Sequence, residues 1–306
     1  MQLSQGHRLA AVALSIFAFS LMSSAVELAA ATQPLASPEI TGSLPLPEAP
    51  YDQRAFITKR GTEGFELAAR LHERGGLITR PISWRVFRLL TSPDGGGELI
   101  YEGNTPIADF VTLPGDYRID IEYGFARFSR VIALEPAHHL SIAFNLNVGG
   151  LRVLSRLIAP AAVSFRTAHR IYSLSGTNRM HLVAENATPG DLLRLPAGRY
   201  RVESHLAPGN AIARTDIEVK PGVMSAVEID HAAGIASLAF QGASGPEVKW
   251  QILDEAGRIA ATADGSTPDV VLAPGDYQVK AASGAETLSR QITISAGQRL
   301  EVKLGH

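Results

Sequence analysis

The histidines are the residues best suited to bind a metal ion, because the chain contains no cysteine. Zinc sites need several nitrogen, sulfur or carboxylate ligands that converge. His138 and His139 could supply half of such a site. The pair follows Pro136 in a predicted loop before a strand, and neither an H-x-x-x-H partner nor a carboxylate stands at ligand spacing. We therefore predict that both side chains lie in a solvated loop.

Four more histidines would allow a tri-histidine zinc site in the middle of the chain: His169, His181, His205 and His231. The alternation of apolar and polar residues places His205 on the outer face of its strand, beside Arg201 and Glu203. His231 falls at a predicted joint between domains. Convergence of these side chains would be accidental, so we predict no metal site.

Carboxylates and serines suggest no catalytic centre either. Asp254, Glu255 and Asp264 stand next to glycines, which is typical of turns, and no D-x-D-x-D-G calcium loop occurs. Ser244 lacks the G-x-S-x-G spacing of a nucleophile elbow. We therefore predict no catalytic, cofactor-binding or metal-binding residue, and a protein that is not an enzyme.

The overall charge argues against nucleic acid as a partner. The 306 residues include 28 Lys and Arg against 30 Asp and Glu, a formal net charge of -2. Such a chain offers no strong field for phosphate backbones or anionic lipid. Residues 149-233 are mildly basic, with 10 basic and 7 acidic residues. This is either an ordinary solvated surface or a weak patch for an acidic glycan or envelope partner.

The N-terminus reads as an export signal. A short polar start is followed by an uninterrupted run of apolar and small residues from Leu9 to Met22. We predict a signal peptide over residues 1-31, cleaved after Ala25 or Ala31. The alternative is an uncleaved N-terminal anchor, which would be the chain's one contact with a membrane. Residues 32-50 contain five prolines and few large apolar side chains, so they are predicted to form an extended linker.

One phrase occurs three times and dominates the rest of the chain. It reads Leu113-Pro-Gly-Asp-Tyr117, Leu195-Pro-Ala-Gly-Arg-Tyr200 and Leu272-Ala-Pro-Gly-Asp-Tyr277. Proline and glycine favour a turn, and the residues after each tyrosine alternate between apolar and polar. Each phrase therefore predicts a turn followed by a strand with one buried face.

Other segments recur in the same order. Trp84 and Trp250 lie on similar apolar strands before the first and third phrases, with a weaker counterpart around His169-Tyr172. We interpret both tryptophans as core residues rather than sugar-binding platforms. Residues 61-74 fit either a helix or a first strand.

These repeats predict an all-β chain of three tandem Ig-like, prealbumin-like β-sandwiches at residues 51-148, 149-233 and 234-306. The spacing of strand signals suits such sandwiches. The joints at Gly149-Gly150 and at His231-Gly234 are short, so we expect the sandwiches to meet end to end as a rod.

The repeated phrase, the W-x-V/I strand and the N-x-G-G-L joint that ends at Leu151 resemble a known group. This group comprises exported bacterial tandem-repeat proteins built of prealbumin-like and carboxypeptidase-regulatory-like sandwiches. Some members of the wider group carry Lys-Asn isopeptide crosslinks. Here Asn145 and Asn147 lie on a last strand, but Lys59 precedes the first core strand, so no crosslink is predicted.

The resemblance specifies a fold rather than a reaction. Together with the export signal, it favours a non-catalytic cell-envelope protein, periplasmic or secreted, that acts as a binding, spacer or scaffold module for a protein or glycan partner. The alternative is an accessory subunit of an envelope or carbohydrate-active enzyme. An enzyme would instead show a cleft with clustered titratable groups.

Overall fold

The computed structural model describes residues 48-90, 96-158, 165-174, 180-241 and 248-305. Within these ranges the chain forms 22 strands and no helix, which confirms the all-β prediction. Consequently, no described segment is a helix long and apolar enough to cross a bilayer. The predicted signal peptide and nearly all of the predicted linker lie outside the described residues. The ambiguous stretch at residues 61-74 contains a strand, not a helix.

The first pair of sheets, here called sandwich 1, contains eight strands. They are β1 (Tyr51–Ile57), β2 (Gly64–Arg70), β3 (Ile82–Leu89), β4 (Gly97–Thr105), β5 (Ala108–Val111), β6 (Gly115–Tyr123), β7 (Ala126–Leu134) and β8 (His138–Asn145). One sheet has the order β1-β8-β2-β5, and the other has the order β4-β3-β6-β7.

Sandwich 2 has seven strands. They are β9 (Val148–Leu157), β10 (Arg166–Ser173), β11 (His181–Ala187), β12 (Leu192–Pro196), β13 (Gly198–Ala207), β14 (Ile212–Val219) and β15 (Met224–His231). Its sheets have the orders β12-β9-β15 and β11-β10-β13-β14.

Sandwich 3 repeats this plan. Its strands are β16 (Gly234–Phe240), β17 (Lys249–Asp254), β18 (Ile259–Asp264), β19 (Asp269–Leu272), β20 (Gly275–Ser283), β21 (Glu286–Ile294) and β22 (Arg299–Leu304). The sheets have the orders β19-β16-β22 and β18-β17-β20-β21.

All three sandwiches share one unusual pairing. Their strands are otherwise antiparallel, but β2 pairs with β8, β9 with β15, and β16 with β22 in parallel. In each case a strand near the start of the sandwich lies beside its last strand. Only sandwich 1 adds a further strand, because β1 pairs antiparallel with the outer edge of β8.

Each sandwich encloses its own apolar core, and the buried faces are those that alternation predicted. Trp84 and Trp250 are fully or almost fully buried, as are Tyr117, Tyr200 and Tyr277. Aromatic side chains of this size bury a large apolar area and dominate small cores. The assignment of three domains with boundaries after residues 148 and 233 stays a prediction, since all six sheets lie in one structural unit.

The repeated phrase forms the same hydrogen bond in all three sandwiches. The tyrosine hydroxyl donates to a backbone carbonyl four residues upstream: Tyr117 to Leu113, Tyr200 to Pro196 at 2.7 Å and Tyr277 to Ala273 at 2.8 Å. This arrangement corresponds to a tyrosine corner. The glycine two residues before each tyrosine has φ between 152° and 159°, a conformation that other residues rarely adopt. The phrase therefore encodes a structural corner rather than a reactive site.

Candidate functional site

His138 and His139 are the first two residues of β8 rather than part of a loop, so that prediction was wrong in its structural detail. The ring of His138 contacts the carbonyl of Pro136 at 2.9 Å. His139 reaches across the neighbouring strand β2, and its Nε2 is 3.6 Å from Asp109 Oδ1 on β5. Both histidines are thus placed by the strand pairing, and both remain partly exposed.

The four histidines of sandwich 2 divide into two groups. His181 is exposed at the start of β11, and His205 lies on the outer face of β13, 3.7 Å from Glu203. His169 and His231 point into the core instead and are 0% and 1% exposed. Within the described part of the chain, no three His, Asp or Glu side chains are grouped as metal ligands would be.

Two serines join the buried histidines into a chain of hydrogen bonds. His169 Nε2 lies 2.8 Å from Ser155 Oγ, the two hydroxyls of Ser155 and Ser204 lie 2.7 Å apart, and Ser204 Oγ lies 2.8 Å from His231 Nε2. From the sequence, His231 is predicted to lie in a joint, and no convergence with the other histidines is expected. The structure shows instead that His231 is the last residue of β15. We call these four residues the buried polar chain.

Two members of the buried polar chain, His169 and Ser204, occupy positions that are apolar in the other sandwiches. His169 pairs with Ser204 across β10 and β13, as Trp84 pairs with Ile121 in sandwich 1. Trp250 pairs with Ala281 in the same place in sandwich 3. The one feature of the sequence that could have indicated the buried polar chain is the weaker copy of the tryptophan strand in sandwich 2, where His169 stands in place of tryptophan.

The number of available hydrogens limits the protonation states of the two histidines in the buried polar chain. Its three hydrogen bonds need three hydrogens, and the hydroxyls of Ser155 and Ser204 supply two. One neutral imidazole must therefore donate through Nε2 while the other accepts. Protonating the accepting imidazole would leave one hydroxyl hydrogen without an acceptor in the chain, so the neutral state is favoured.

Burial also favours the neutral form of both histidines, because it removes the solvation of the charged form. Loss of solvation lowers the pKa of His231 to about 4, helped by the nearby rings of His169 and His205, while Asp230 acts in the opposite direction. Burial also lowers the pKa of His169. Because His169, Ser204 and His231 are enclosed by the core, the arrangement suits a structural polar network rather than a reactive nucleophile.

A solvent-accessible cleft lies where sandwiches 1 and 2 meet. It has a volume of about 730 Å³ and is lined by Pro50, Tyr51, Asp52, Arg70, His72, Glu73, Arg74, Ala143, Asn145, Asn147 and Pro221. Arg70 Nη1 forms an ion pair with Asp52 at 3.1 Å. Side chains of both charges and two amides thus face the same space. Asn145 and Asn147 lie here, whereas Lys59 is exposed in a turn before β2.

Backbone hydrogen bonds join sandwiches 1 and 2. Val148 N donates to Leu71 O at 2.9 Å, and Ala197 N donates to Asn147 O at 2.7 Å. Phe125 N also donates to Arg194 O at 2.9 Å. These bonds cross from one sandwich to the next, so the joint has a defined geometry rather than the freedom of a flexible linker.

The joint between sandwiches 2 and 3 is held by Asn210. Its Oδ1 accepts the backbone N–H of Ala273 at 2.9 Å, and its Nδ2 lies 3.1 Å from the hydroxyl of Tyr277. Val271 N also donates to Pro208 O at 2.9 Å. A loop of sandwich 2 is therefore bonded to the tyrosine corner of sandwich 3.

The other candidate residues have structural surroundings. Asp254 accepts the backbone N–H groups of Ala256 and Arg258 at 3.0 and 2.9 Å, which makes it a turn residue. Asp264 ends β18. Trp84 and Trp250 are buried and donate to backbone carbonyls, so neither presents a face to a sugar. Ser244 lies outside the described residues.

Comparison with known proteins supports a tandem-repeat chain. Residues 240–305, within sandwich 3, match the model of the Rhizobiales growth-associated tandem repeat domain. No curated protein matches the chain. This match and the three repeated sandwiches together identify a tandem-repeat β-sandwich protein.

Several solved structures show a distant likeness. The TIE protein of Bacillus anthracis is 14% identical, with 79% of this chain and 50% of that protein covered and a TM-score of 0.24. The minor pilin of Streptococcus agalactiae is 13% identical (51% and 94% covered, TM-score 0.27), and a streptococcal ancillary pilin is 12% identical (83% and 99% covered, TM-score 0.26). The chain spans half the length of the Bacillus protein. With TM-scores below 0.5, no functional conclusion is carried over from these proteins.

Proposed function

We propose that the chain is a non-catalytic protein of the bacterial cell envelope, exported to the periplasm or beyond, that acts as a spacer and binding module for a protein or glycan partner. The observation that carries this proposal is the serial order of the sandwiches. Sandwiches 1 and 3 are bonded to opposite ends of sandwich 2. Such a series holds contact surfaces at fixed separations.

Strand β13 shows how the order arises. It begins at Gly198, directly after Ala197, whose N–H is bonded to Asn147 at the joint with sandwich 1. It ends at Ala207, directly before Pro208, whose carbonyl accepts Val271 N of sandwich 3. One strand therefore runs from one neighbour to the other. Short, bonded joints transmit orientation in a way that flexible linkers do not.

The cleft between sandwiches 1 and 2 is the surface we assign to the partner. Its arginines, carboxylates and amides can form hydrogen bonds with glycan hydroxyls or with a protein loop, which are the two partner classes the proposal includes. The joint bonds hold these groups in place before binding, which reduces the entropy lost on association.

Small-angle scattering tests the spacer role. One sandwich of this size has a radius of gyration of about 12 Å; three in a row give about 28 Å, and a single globule of the same length gives about 18 Å. We expect a value near the larger figure for the signal-cleaved monomer. A value near the smaller figure would reject the spacer function.

Site-specific photo-crosslinking tests the cleft. A photoreactive residue at Arg74, in the cleft, is compared with one at Ser289, which is exposed on β21 of sandwich 3. In living cells we expect a crosslinked partner from the Arg74 position and none from the Ser289 position. Equal capture at both positions, or capture only at Ser289, would place the binding surface elsewhere.

A further inference from the structure

Strand β1 has no counterpart among the described residues of sandwiches 2 and 3. In sandwich 1 it covers the outer edge of the last strand, β8, with Tyr51 opposite Phe144 and Ile57 opposite His138. Among the described residues, no strand covers the same edge of β15 or β22. An uncovered edge carries unpaired backbone N–H and carbonyl groups, and these can pair with an added strand.

The edges of β8 and β22 are equivalent residue by residue. Phe144 pairs with Ala69 in parallel, and Leu304 pairs with Phe240 in the same relation. Two side-chain contacts that span the intervening strand support the alignment. His139 lies 3.6 Å from Asp109, and Arg299 forms an ion pair with Asp269 at 3.0 Å at the matching positions. Leu304, Lys303, Val302 and Glu301 therefore correspond to Phe144, Ala143, Ile142 and Ser141.

We propose that the free edge of β22 binds strand β1 of a second copy of this chain. The observed pairing of β1 with β8 supplies the register. Transferred to β22, it places Tyr51 opposite Leu304 on the inner face. On the outer face it places Asp52 opposite Lys303 and Arg54 opposite Glu301, which are two pairs of opposite charge.

These charges distinguish β22 from the other available edges. On its own β8, Asp52 lies directly opposite Ala143 and Arg54 directly opposite Ser141, and Asp52 forms its ion pair with Arg70 on β2, one strand further away, at 3.1 Å. On β15 the residue that corresponds to Ala143 is Glu228, which would repel Asp52. Directly opposed charges of opposite sign stabilise a strand pair, and like charges destabilise it. Of the two uncovered edges equivalent to that of β8, the edge of β22 is therefore the one that β1 fits better.

The composition of β1 permits the exchange. From Asp52 to Ile57 every side chain is exposed, and Tyr51 is the strand's only residue that packs against the core. Apart from the packing of Tyr51 and the ion pair of Asp52 with Arg70, the strand is held by backbone hydrogen bonds, and an equivalent ladder on β22 would replace them. Moving β1 between copies thus exchanges one set of bonds for another. The pairing extends the proposed spacer role to a head-to-tail series of chains, but it rests on β1 and β22 alone.

Engineered disulfides test the pairing, because the natural chain has no cysteine to interfere. One full-length population carries Asp52→Cys and a second carries Lys303→Cys. Residues opposed on neighbouring strands have the Cα separation that a disulfide requires. In the control, the Asp52→Cys population is mixed with a Glu228→Cys population instead. After mild oxidation, we expect the yield of disulfide-linked mixed dimer with Lys303→Cys to be at least five times the yield with Glu228→Cys. Maleimide labelling verifies that all three thiols are accessible.

Charge reversal provides the decisive comparison. Arg54→Glu in the first population should reduce the mixed dimer to the yield of the Glu228→Cys control, and Glu301→Arg in the second population should restore it. Both sites are exposed, so circular dichroism should show the fold of each variant unchanged. Equal yields for Lys303→Cys and Glu228→Cys, or no rescue by the paired reversal, would overturn the proposal. A failure here leaves the scattering test of a single chain unaffected.

Discussion

The buried polar chain should make sandwich 2 sensitive to mild acid. Unfolded His231 has an ordinary pKa of 6.5, and in the folded protein burial lowers it to about 4. Between these values the unfolded state binds more protons, so stability falls as the pH falls. Above about 6.5 this contribution is complete. At pH 5 the loss is about 2 kcal/mol for His231 alone.

Urea unfolding at pH 7.5 and at pH 5 measures this loss. Circular dichroism reports on all three sandwiches. Tryptophan fluorescence reports on sandwiches 1 and 3, because the chain's two tryptophans are Trp84 and Trp250. The dichroism transition should therefore shift with pH, while the fluorescence transitions shift less. Carboxylates with lowered pKa values, such as Asp216 and Glu203, affect stability mainly at lower pH, near and below their ordinary values.

Two variants isolate the cause. His231→Gln keeps an amide that can donate to or accept from Ser204 but cannot be protonated, so it should remove most of the difference between pH 7.5 and pH 5. His181→Gln, at an exposed position, should leave the difference unchanged. If His231→Gln and the natural chain lost equal stability over this interval, the electrostatic account of the buried polar chain would be wrong.

Three further predictions follow from the corners, the joint and the N-terminus. Tyr200→Phe, which removes only the corner hydrogen bond, should destabilise sandwich 2 by about 1 kcal/mol in a thermal melt. Tyr200→Ala, which also removes the ring from the core, should destabilise it by about 3-5 kcal/mol. Equal losses would mean that the corner bond, not the packing of the ring, dominates. Gly209→Ala would place a methyl group in overlap with the carbonyl oxygen of Val271, so the joint between sandwiches 2 and 3 would have to shift. Backbone amide hydrogens at that joint should then exchange with solvent faster than in the natural chain. Unchanged exchange would show that the joint accommodates the methyl group. N-terminal sequencing of the exported protein should begin within residues 26-32, and a sequence beginning at Met1 would show an uncleaved anchor instead.

Most strands could be predicted because burial on one face leaves a period of two in the sequence. The structure of the tyrosine phrase could also be predicted, because its turn and its core residue are adjacent in the chain. Strand β1 escaped prediction because nearly all its side chains are exposed, so its sequence carries no alternation. Its position depends on backbone bonds to a strand that begins more than 80 residues later.

The buried polar chain escaped prediction for a different reason. Alternation along β13 puts Ser204 on the inner face with Tyr200 and Val202, but nothing in the local sequence shows that it joins Ser155, His169 and His231 in one set of hydrogen bonds. Only the pairing of β10 with β13 and the approach of β9 and β15 bring them together. Likewise, the contact of Asn210 with Tyr277 joins two sandwiches, and no local signal could reveal it.

In sandwiches 2 and 3 the first and last strands pair in parallel, and this pairing also determines how the chain would respond to tension. A pull along the polypeptide enters sandwich 2 through the start of β9 and leaves through the end of β15, and these points lie at opposite ends of one parallel ladder. The force therefore tends to slide the two strands past each other, so it loads eight residue pairs from Met224 to His231 together instead of opening them one at a time. The same geometry holds for β16 with β22. A chain pulled from its two ends would thus resist mechanical extension at sandwiches 2 and 3 in turn.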